Sequence, residues 1–124
     1  MEKSLFERLG GTDGITQIVD DAIDAHMNNP QVSARFLPYR EMPEQLALVK
    51  KHSVEFFSEG SGGPTKYSGK DMSTAHRGMN ISPAEYMHVL DDILETLDKH
   101  KIDEGTKKDV LSILWSLKNM IIAQ

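Results

Sequence analysis

Apolar residues in this chain recur at helical spacing in four long stripes, and no window alternates with period two for long enough to form a strand. A sheet-based core is therefore excluded, and the fold class is all-α. Ile15, Ile18, Val19, Ala22 and Ile23 make the first stripe, which His26 continues. Leu46, Val49, Ser53, Phe56 and Phe57 make the second, with His52 at its edge. Tyr86, Val89, Leu90, Ile93, Leu94 and Leu97 make the third, and Val110, Leu111, Leu114, Leu117 and Ile121 the fourth, beside Trp115.

Local signals delimit these helices. Ser4-Leu-Phe-Glu7 has the spacing of a capping box and predicts a first helix of barely two turns, stopped by Gly10-Gly11. Thr12 or Asp13 caps the second helix, and Asn28-Asn29-Pro30 ends it, because the residue before proline is pushed out of helical geometry. Pro30 begins a short third helix carrying Val32 and Phe36. Leu37 to Met42 reads as an irregular connection, and Pro43 opens the next helix, to Ser58. Ser82-Pro-Ala-Glu85 is a second capping box, for a helix reaching about His100. Asp103 caps a last helix expected to reach Ala123.

A chain of 124 residues is large enough for one core and too short for two, so a single domain over 1–124 is expected. No apolar run approaches the roughly 18 residues of a membrane span, and the N-terminus lacks an apolar signal segment, so a cytoplasmic monomer away from membranes is the expectation. The absence of cysteine rules out disulfides, thiolate metal sites, iron–sulfur clusters and a cysteine nucleophile. Any metal must use histidine or oxygen. A net charge of −5 argues against a nucleic-acid partner, and the Lys50-Lys51 pair suits a local anion contact. None of the spacing-defined signatures of nucleotide, hydrolase or zinc-protease sites is present.

The glycine-rich segment Glu59 to Gly69 is the one long loop, and loops of this length inside compact domains usually serve a function. It leads into Met72 to Ile81, a glycine-flanked stretch centred on His76 with room for one or two helical turns. His76 reads either as a cofactor ligand or as a histidine at a helix C-terminus, where its cation meets the dipole favourably. The five histidines, at 26, 52, 76, 88 and 100, contain no pair at helical spacing for a zinc site. His26 reads as a satisfied core histidine, and His88 and His100 as solvated. His52 and His76 lie on different helices beside large apolar residues. A haem would use such a pair, since its iron needs an axial imidazole and its ring a dry slot.

In order, Gly10-Gly11, Phe36, Phe56-Phe57, Gly62-Gly63-Pro64, Tyr67, Gly69, Met72, His76, Gly78 and Ile81 together resemble a truncated haemoglobin of the first group, from about Leu5 to the last helix. The resemblance implies a two-over-two helical sandwich, in which Thr12–Asn28 and Pro43–Ser58 pack over Ser82–His100 and Asp103–Ala123. It implies haem b as cofactor, with His76 as proximal iron ligand and Phe36 packed on the porphyrin. Val49, Phe57, Met72, Ala75, Ile81, Tyr86 and Val89 would line the pocket, Tyr67 would hydrogen-bond a propionate, and Lys50 and Lys51 would pair with one. For Phe56, Tyr86 and Val89, pocket lining and plain core packing are not separable from the residues.

The departures from the family pattern concern the distal side. Ile23 stands where the family usually has a tyrosine that hydrogen-bonds the ligand, and Ser53 where it has a glutamine. Tyr39, in a connection several residues longer than usual, is a candidate to fold back in place of the tyrosine. His52 falls where some members carry a propionate-binding lysine and cyanobacterial relatives an iron-binding histidine, so both roles stand open. No histidine follows His100, so a non-covalent haem is expected. The implied function is reversible binding of oxygen, nitric oxide or carbon monoxide. Conversion of nitric oxide to nitrate would need an external reductase, since the chain has no flavin or nicotinamide motif. Electron transfer or redox sensing suits a bis-histidine iron, and a cofactor-free helical interaction module is the third class.

Overall fold

The structure is a computed structural model that describes residues 3–124. Helix α1 spans Leu5–Arg8, α2 Gly11–Asn28, α3 Ser33–Phe36, α4 Pro43–Gly60, α5 Met72–His76, α6 Pro83–Lys99, α7 Glu104–Ser116 and α8 Lys118–Ile121, with a 3-10 helix at Leu37–Glu41. Both capping boxes form: Ser4 Oγ accepts from the Glu7 amide at 3.1 Å, and Ser82 Oγ from the Glu85 amide at 3.0 Å. Asp103 caps α7 through the Thr106 amide. These caps are local, needing only residues three apart, which is why they were legible.

Helix α2 packs on both α4 and α6, and α6 packs on α7. Ile15, Leu90 and Leu97, each 1% exposed, form the centre of the resulting core. The α1–α2 corner allows this packing. Gly10, at φ 96°, lies in the left-handed region, and a Cβ on Gly14 would stand 2.3 Å from the Leu9 carbonyl oxygen. Only glycine lets the two helices meet there.

Several expectations are corrected. Neither Thr12 nor Asp13 caps α2, whose N-cap is Gly10 with no side-chain bond, and the third helix starts at Ser33 rather than Pro30, with Val32 as its N-cap. The connection after α3 is not irregular but a 3-10 helix over Leu37–Glu41, and the last helix does not run to Ala123. It stops at Ser116; after the short α8 the chain turns extended, so that Ile122 pairs with Ile81 as an isolated parallel bridge. The Gln124 carbonyl then accepts from Gly78 N–H at 3.1 Å and Asn80 N–H at 2.9 Å. The chain end thus anchors the segment that follows α5. Among the described residues, no helix is long and apolar enough to cross a membrane.

Gly14→Ala should lower stability by about 1–3 kcal/mol, the usual cost of overpacking against backbone that cannot yield. Gly60→Ala, where a Cβ meets nothing within 4 Å, serves as its control. Urea denaturation of the two variants measures both; a Gly14→Ala midpoint equal to that of Gly60→Ala would show that the corner yields without cost.

Candidate functional site

Helix α4 carries an apolar stripe, yet Leu46, Val49, Phe56 and Phe57 are only half-buried. The reason is geometric: this face lines a cavity of about 410 Å³. The volume lies within the roughly 300–1,000 Å³ of small-molecule and cofactor sites. Its wall gathers residues far apart in the chain. Phe36 comes from α3, Val49, His52, Ser53, Phe56 and Phe57 from α4, Tyr67 from the loop, Met72, Ala75 and His76 from α5, and Ile81, Tyr86 and Val89 from α6 or just before it. The candidate residues of the sequence reading are on this wall except Lys50, whose Nζ sits 3.2 Å from Asp20 Oδ1, and Lys51, which is exposed.

His76 is held in one orientation. Its Nδ1 lies 2.8 Å from the Met72 carbonyl oxygen one turn back, an acceptor, so Nδ1 carries the proton and donates. Nε2 is left with its lone pair, the tautomer that a metal-ligating imidazole adopts. Helix α5 itself starts on Asp71, whose carboxylate accepts from Thr74 N–H at 3.2 Å. That hydrogen bond holds the Asp71 pKa below its ordinary value.

His52 reaches the wall from α4. Its ring meets Tyr67 edge-on, centroids 5.9 Å apart, and Tyr67 also meets Phe56 edge-on at 5.5 Å. The Tyr67 hydroxyl donates to the Lys70 carbonyl oxygen. Ser53 spends its hydroxyl on the Val49 carbonyl oxygen at 2.8 Å. Ile23, buried on α2, leaves the wall beside it apolar, and Tyr39 of the 3-10 helix joins the lining.

Other groups on the wall were not read as site residues. Arg35 and Glu85 line the cavity and form a bidentate pair between α3 and the start of α6; Arg35 Nη2 donates to Glu85 Oε1 at 3.0 Å. Arg35 lowers the Glu85 pKa to about 2, with the Ser82 amide adding to the effect. His26 is buried as expected, with Nδ1 2.8 Å from Asp92 Oδ2, yet its ring also forms part of the wall. No spacing rule joins residues 50 or 66 apart, so neither pair was visible in the sequence. His100 departs from expectation: its Nε2 bonds Asp21 Oδ2 at 2.7 Å rather than water. Leu9, Ile15, Ile18, Leu97, Val110 and Leu114 extend the wall inward between α2, α6 and α7, where the sequence reading saw only core.

Comparison with known proteins places this arrangement. The family model described as bacterial-like globin matches residues 4–123. The chain belongs to the bacterial-like globin family. It is 26% identical to a group 1 truncated haemoglobin, LI410, of Chlamydomonas moewusii over 121 residues, covering 96% of this chain and 68% of that protein. With the group 1 truncated haemoglobin of Tetrahymena pyriformis it shares 26% identity over 88% of this chain and 95% of that one. Among solved structures, the Fe(III) form of the truncated haemoglobin from Tetrahymena pyriformis superposes with a TM-score of 0.86 at 20% identity, covering 98% of this chain and 100% of the other. The group II truncated haemoglobin from Bacillus anthracis gives 0.83 at 20% identity over 100% and 94%. The fold is accordingly the two-over-two sandwich of truncated haemoglobins, with α2 and α4 over α6 and α7. Membership makes the chain a haem globin that binds gaseous ligands.

Breaking the wall's ion pair tests its electrostatics. The Glu85 carboxyl should titrate near 2 and move up toward 4.5 in Arg35→Met, followed by carboxyl carbon chemical shifts. The variant should be less stable by about 1 kcal/mol at neutral pH, the upper range for a partly exposed pair. Because Glu85 is depressed in the folded state, this difference persists above pH 4.5 and shrinks as the pH falls toward 2.

Proposed function

We propose that the cavity holds haem b without a covalent link, with His76 Nε2 as the proximal iron ligand, and that the protein reversibly binds oxygen, nitric oxide or carbon monoxide. The observation that carries this reading is the hydrogen bond from His76 Nδ1 to the Met72 carbonyl, which leaves Nε2 free on the wall of a mostly apolar cavity. The residues fit such a group. An imidazole in the ligating tautomer stands among aliphatic and aromatic side chains, and neither cysteine nor a charged cluster competes for the metal. When bound, haem supplies an iron centre that coordinates small gases and changes oxidation state.

The chain's residues divide the remaining work. Phe36, Val49, Phe57, Met72, Ala75, Ile81, Tyr86 and Val89 provide apolar contact with the ring and keep water from it. Tyr67 stands beside His52 at the wall and can donate its hydroxyl proton to a propionate once its bond to Lys70 exchanges. Ile23 offers no hydrogen bond, and Ser53 has spent its own, which leaves the Tyr39 hydroxyl as the one remaining candidate for the usual distal donor. A pocket this poor in donors retains oxygen weakly, which disfavours the nitric oxide to nitrate reaction even with an external reductase. His52 supports a second reading. It lines the same cavity from α4, and in the absence of an external ligand it would compete to coordinate a bound haem iron.

Absorption spectra of the haem-loaded protein, ferric and then reduced under argon, test both readings. A low-spin spectrum in both states that turns high-spin in His52→Ala is the expected result, with gas binding gated by His52. A high-spin ferrous spectrum in the unmutated protein would leave the iron open and place His52 at the rim. His76→Ala should weaken haem retention by at least the roughly 10–100-fold that loss of an outer-shell partner costs a metal site. Unchanged coordination in His76→Ala would overturn the proximal assignment.

A further inference from the structure

Most polar groups on the cavity wall are already committed. The Tyr86 hydroxyl donates to the Leu114 carbonyl, that of Tyr67 to Lys70, that of Ser53 to Val49, and Arg35 and Glu85 bind each other. Apart from His52, His76 and the Tyr39 hydroxyl, the polar atom that remains is Nε2 of His26, which has no hydrogen-bond partner among the described residues.

His26 is a built feature rather than a stray core residue. It is 5% exposed and its partner Asp92 is 7% exposed. Asn29, which ends α2, donates Nδ2 to both Asp92 oxygens at 3.1 Å, and the carboxylate accepts the His26 Nδ1–H at 2.8 Å. The ring is further pinned by Phe36, its centroid 4.8 Å away. Asp92 therefore selects the tautomer, as the carboxylate of a catalytic triad does for its histidine, and the lone pair is left on Nε2. Burial lowers the imidazole pKa below 6.5 against the pull of Asp92, so the ring is neutral at pH 7. A neutral imidazole with Nε2 bare is a hydrogen-bond acceptor and a base, the opposite of the donor that retains oxygen.

We propose that His26 is the proton acceptor of this cavity, oriented by Asp92 and Asn29, and that it adapts the site to small weak acids HX, such as hydrogen sulfide or hydrogen cyanide, that coordinate iron as the anion. The proposal rests on the haem reading above. A neutral HX crosses the apolar wall more readily than X⁻ does. Inside, the H–X bond breaks, its electron pair stays on X, and the proton moves to His26 Nε2, giving an imidazolium beside the Asp92 carboxylate. A bound ferric haem would supply the site for X⁻. Charge and atoms balance without an oxidant or reductant. The other ionisable groups on the wall cannot substitute: Arg35 and Glu85 are paired, tyrosine hydroxyls are poor bases at neutral pH, and His52 and His76 serve the iron.

Potassium cyanide is the probe, its association with the ferric haem-loaded protein measured by stopped flow between pH 5 and 9 in a His52→Ala background that removes competition for the iron. Asp92→Asn keeps shape and hydrogen bonding but donates to Nδ1 and so moves the ring proton to Nε2. His26→Gln keeps the bond to Asp92 without a ring nitrogen. Each should slow cyanide association by about tenfold or more, within reach of the roughly 10²-fold and upward that a positioned proton-transfer group supplies. Carbon monoxide, which carries no proton, should associate with the ferrous forms at an unchanged rate. Nitrogen-15 shifts of the diamagnetic carbon monoxide complex supply a separate readout: Nδ1–H with bare Nε2 in the parent, Nε2–H in Asp92→Asn. In the parent, the cyanide rate should fall as His26 takes up its proton, with the midpoint of its NMR titration. A protein that takes up no haem would sink the haem reading and this proposal together. Normal carbon monoxide binding with cyanide association unchanged in both variants, or a parent ring protonated on Nε2, would sink this proposal alone.

Discussion

The structure depends on keeping apart two apolar helix faces that would otherwise close on each other. The inner faces of α4 and α6 both line the cavity, and the phenylalanines of α4 remain half-buried as a result. Interiors normally pack to crystal density, and side chains facing a gap forgo dispersion contacts. A cavity of this size therefore persists only where a stiffer framework surrounds it. The glycine corner fixes α1 on α2, the Arg35–Glu85 pair ties α3 to the head of α6, and the chain end binds the segment after α5 through the Gln124 carbonyl. None of the three contributes much burial. Each sets a distance.

That division explains what could be read from the residues. Helix positions, caps and inner faces depend on neighbours three or four residues apart, so Ser4, Ser82 and Asp103 announced themselves. The family resemblance then brought His76, Phe36 and the pocket residues together, and the structure places all but Lys50 and Lys51 of the candidate set on one wall. What stayed hidden is held by long-range pairs. Ile81 meets Ile122, Arg35 meets Glu85, His100 meets Asp21 and His26 meets Asp92. Nothing in either local neighbourhood marks these partners. The fourth stripe even continues through Leu117 to Ile121, so periodicity predicted one helix where the backbone turns at Leu117 to let the chain end reach Ile81.

The two histidines with assigned tautomers show one device used twice. A backbone carbonyl fixes the Nδ1 proton of His76, and a buried carboxylate fixes that of His26. In both rings Nε2 is left bare, but the acceptors differ in charge, and so do the consequences. A neutral carbonyl keeps the proton on Nδ1 and leaves Nε2 able to coordinate a metal. A carboxylate stabilises an imidazolium once one forms, offsetting part of the desolvation that otherwise keeps the ring neutral. In the proposed reading, position on the wall and the nature of the acceptor separate a ligand from a base within one cavity.

The distal chemistry follows from the same accounting of donors and acceptors. With Ile23 where a hydroxyl would stand and the Ser53 hydroxyl bound to its own helix, the wall near α2 and α4 has lost the donors that favour bound oxygen. One turn beyond Ile23, His26 adds an acceptor instead. Substituting a donor by an acceptor does not simply weaken a gas site. It reverses which ligands the wall favours, from those that gain from accepting a hydrogen bond to those that arrive with a proton to give up. The carboxylate needed for this, Asp92, must be buried to act, and burial of an ionisable pair is costly unless its remaining lone pairs are satisfied. Asn29 meets that requirement, donating to both Asp92 oxygens from the position where Pro30 ends α2. The helix end and the polarity of the cavity are therefore set by the same few residues.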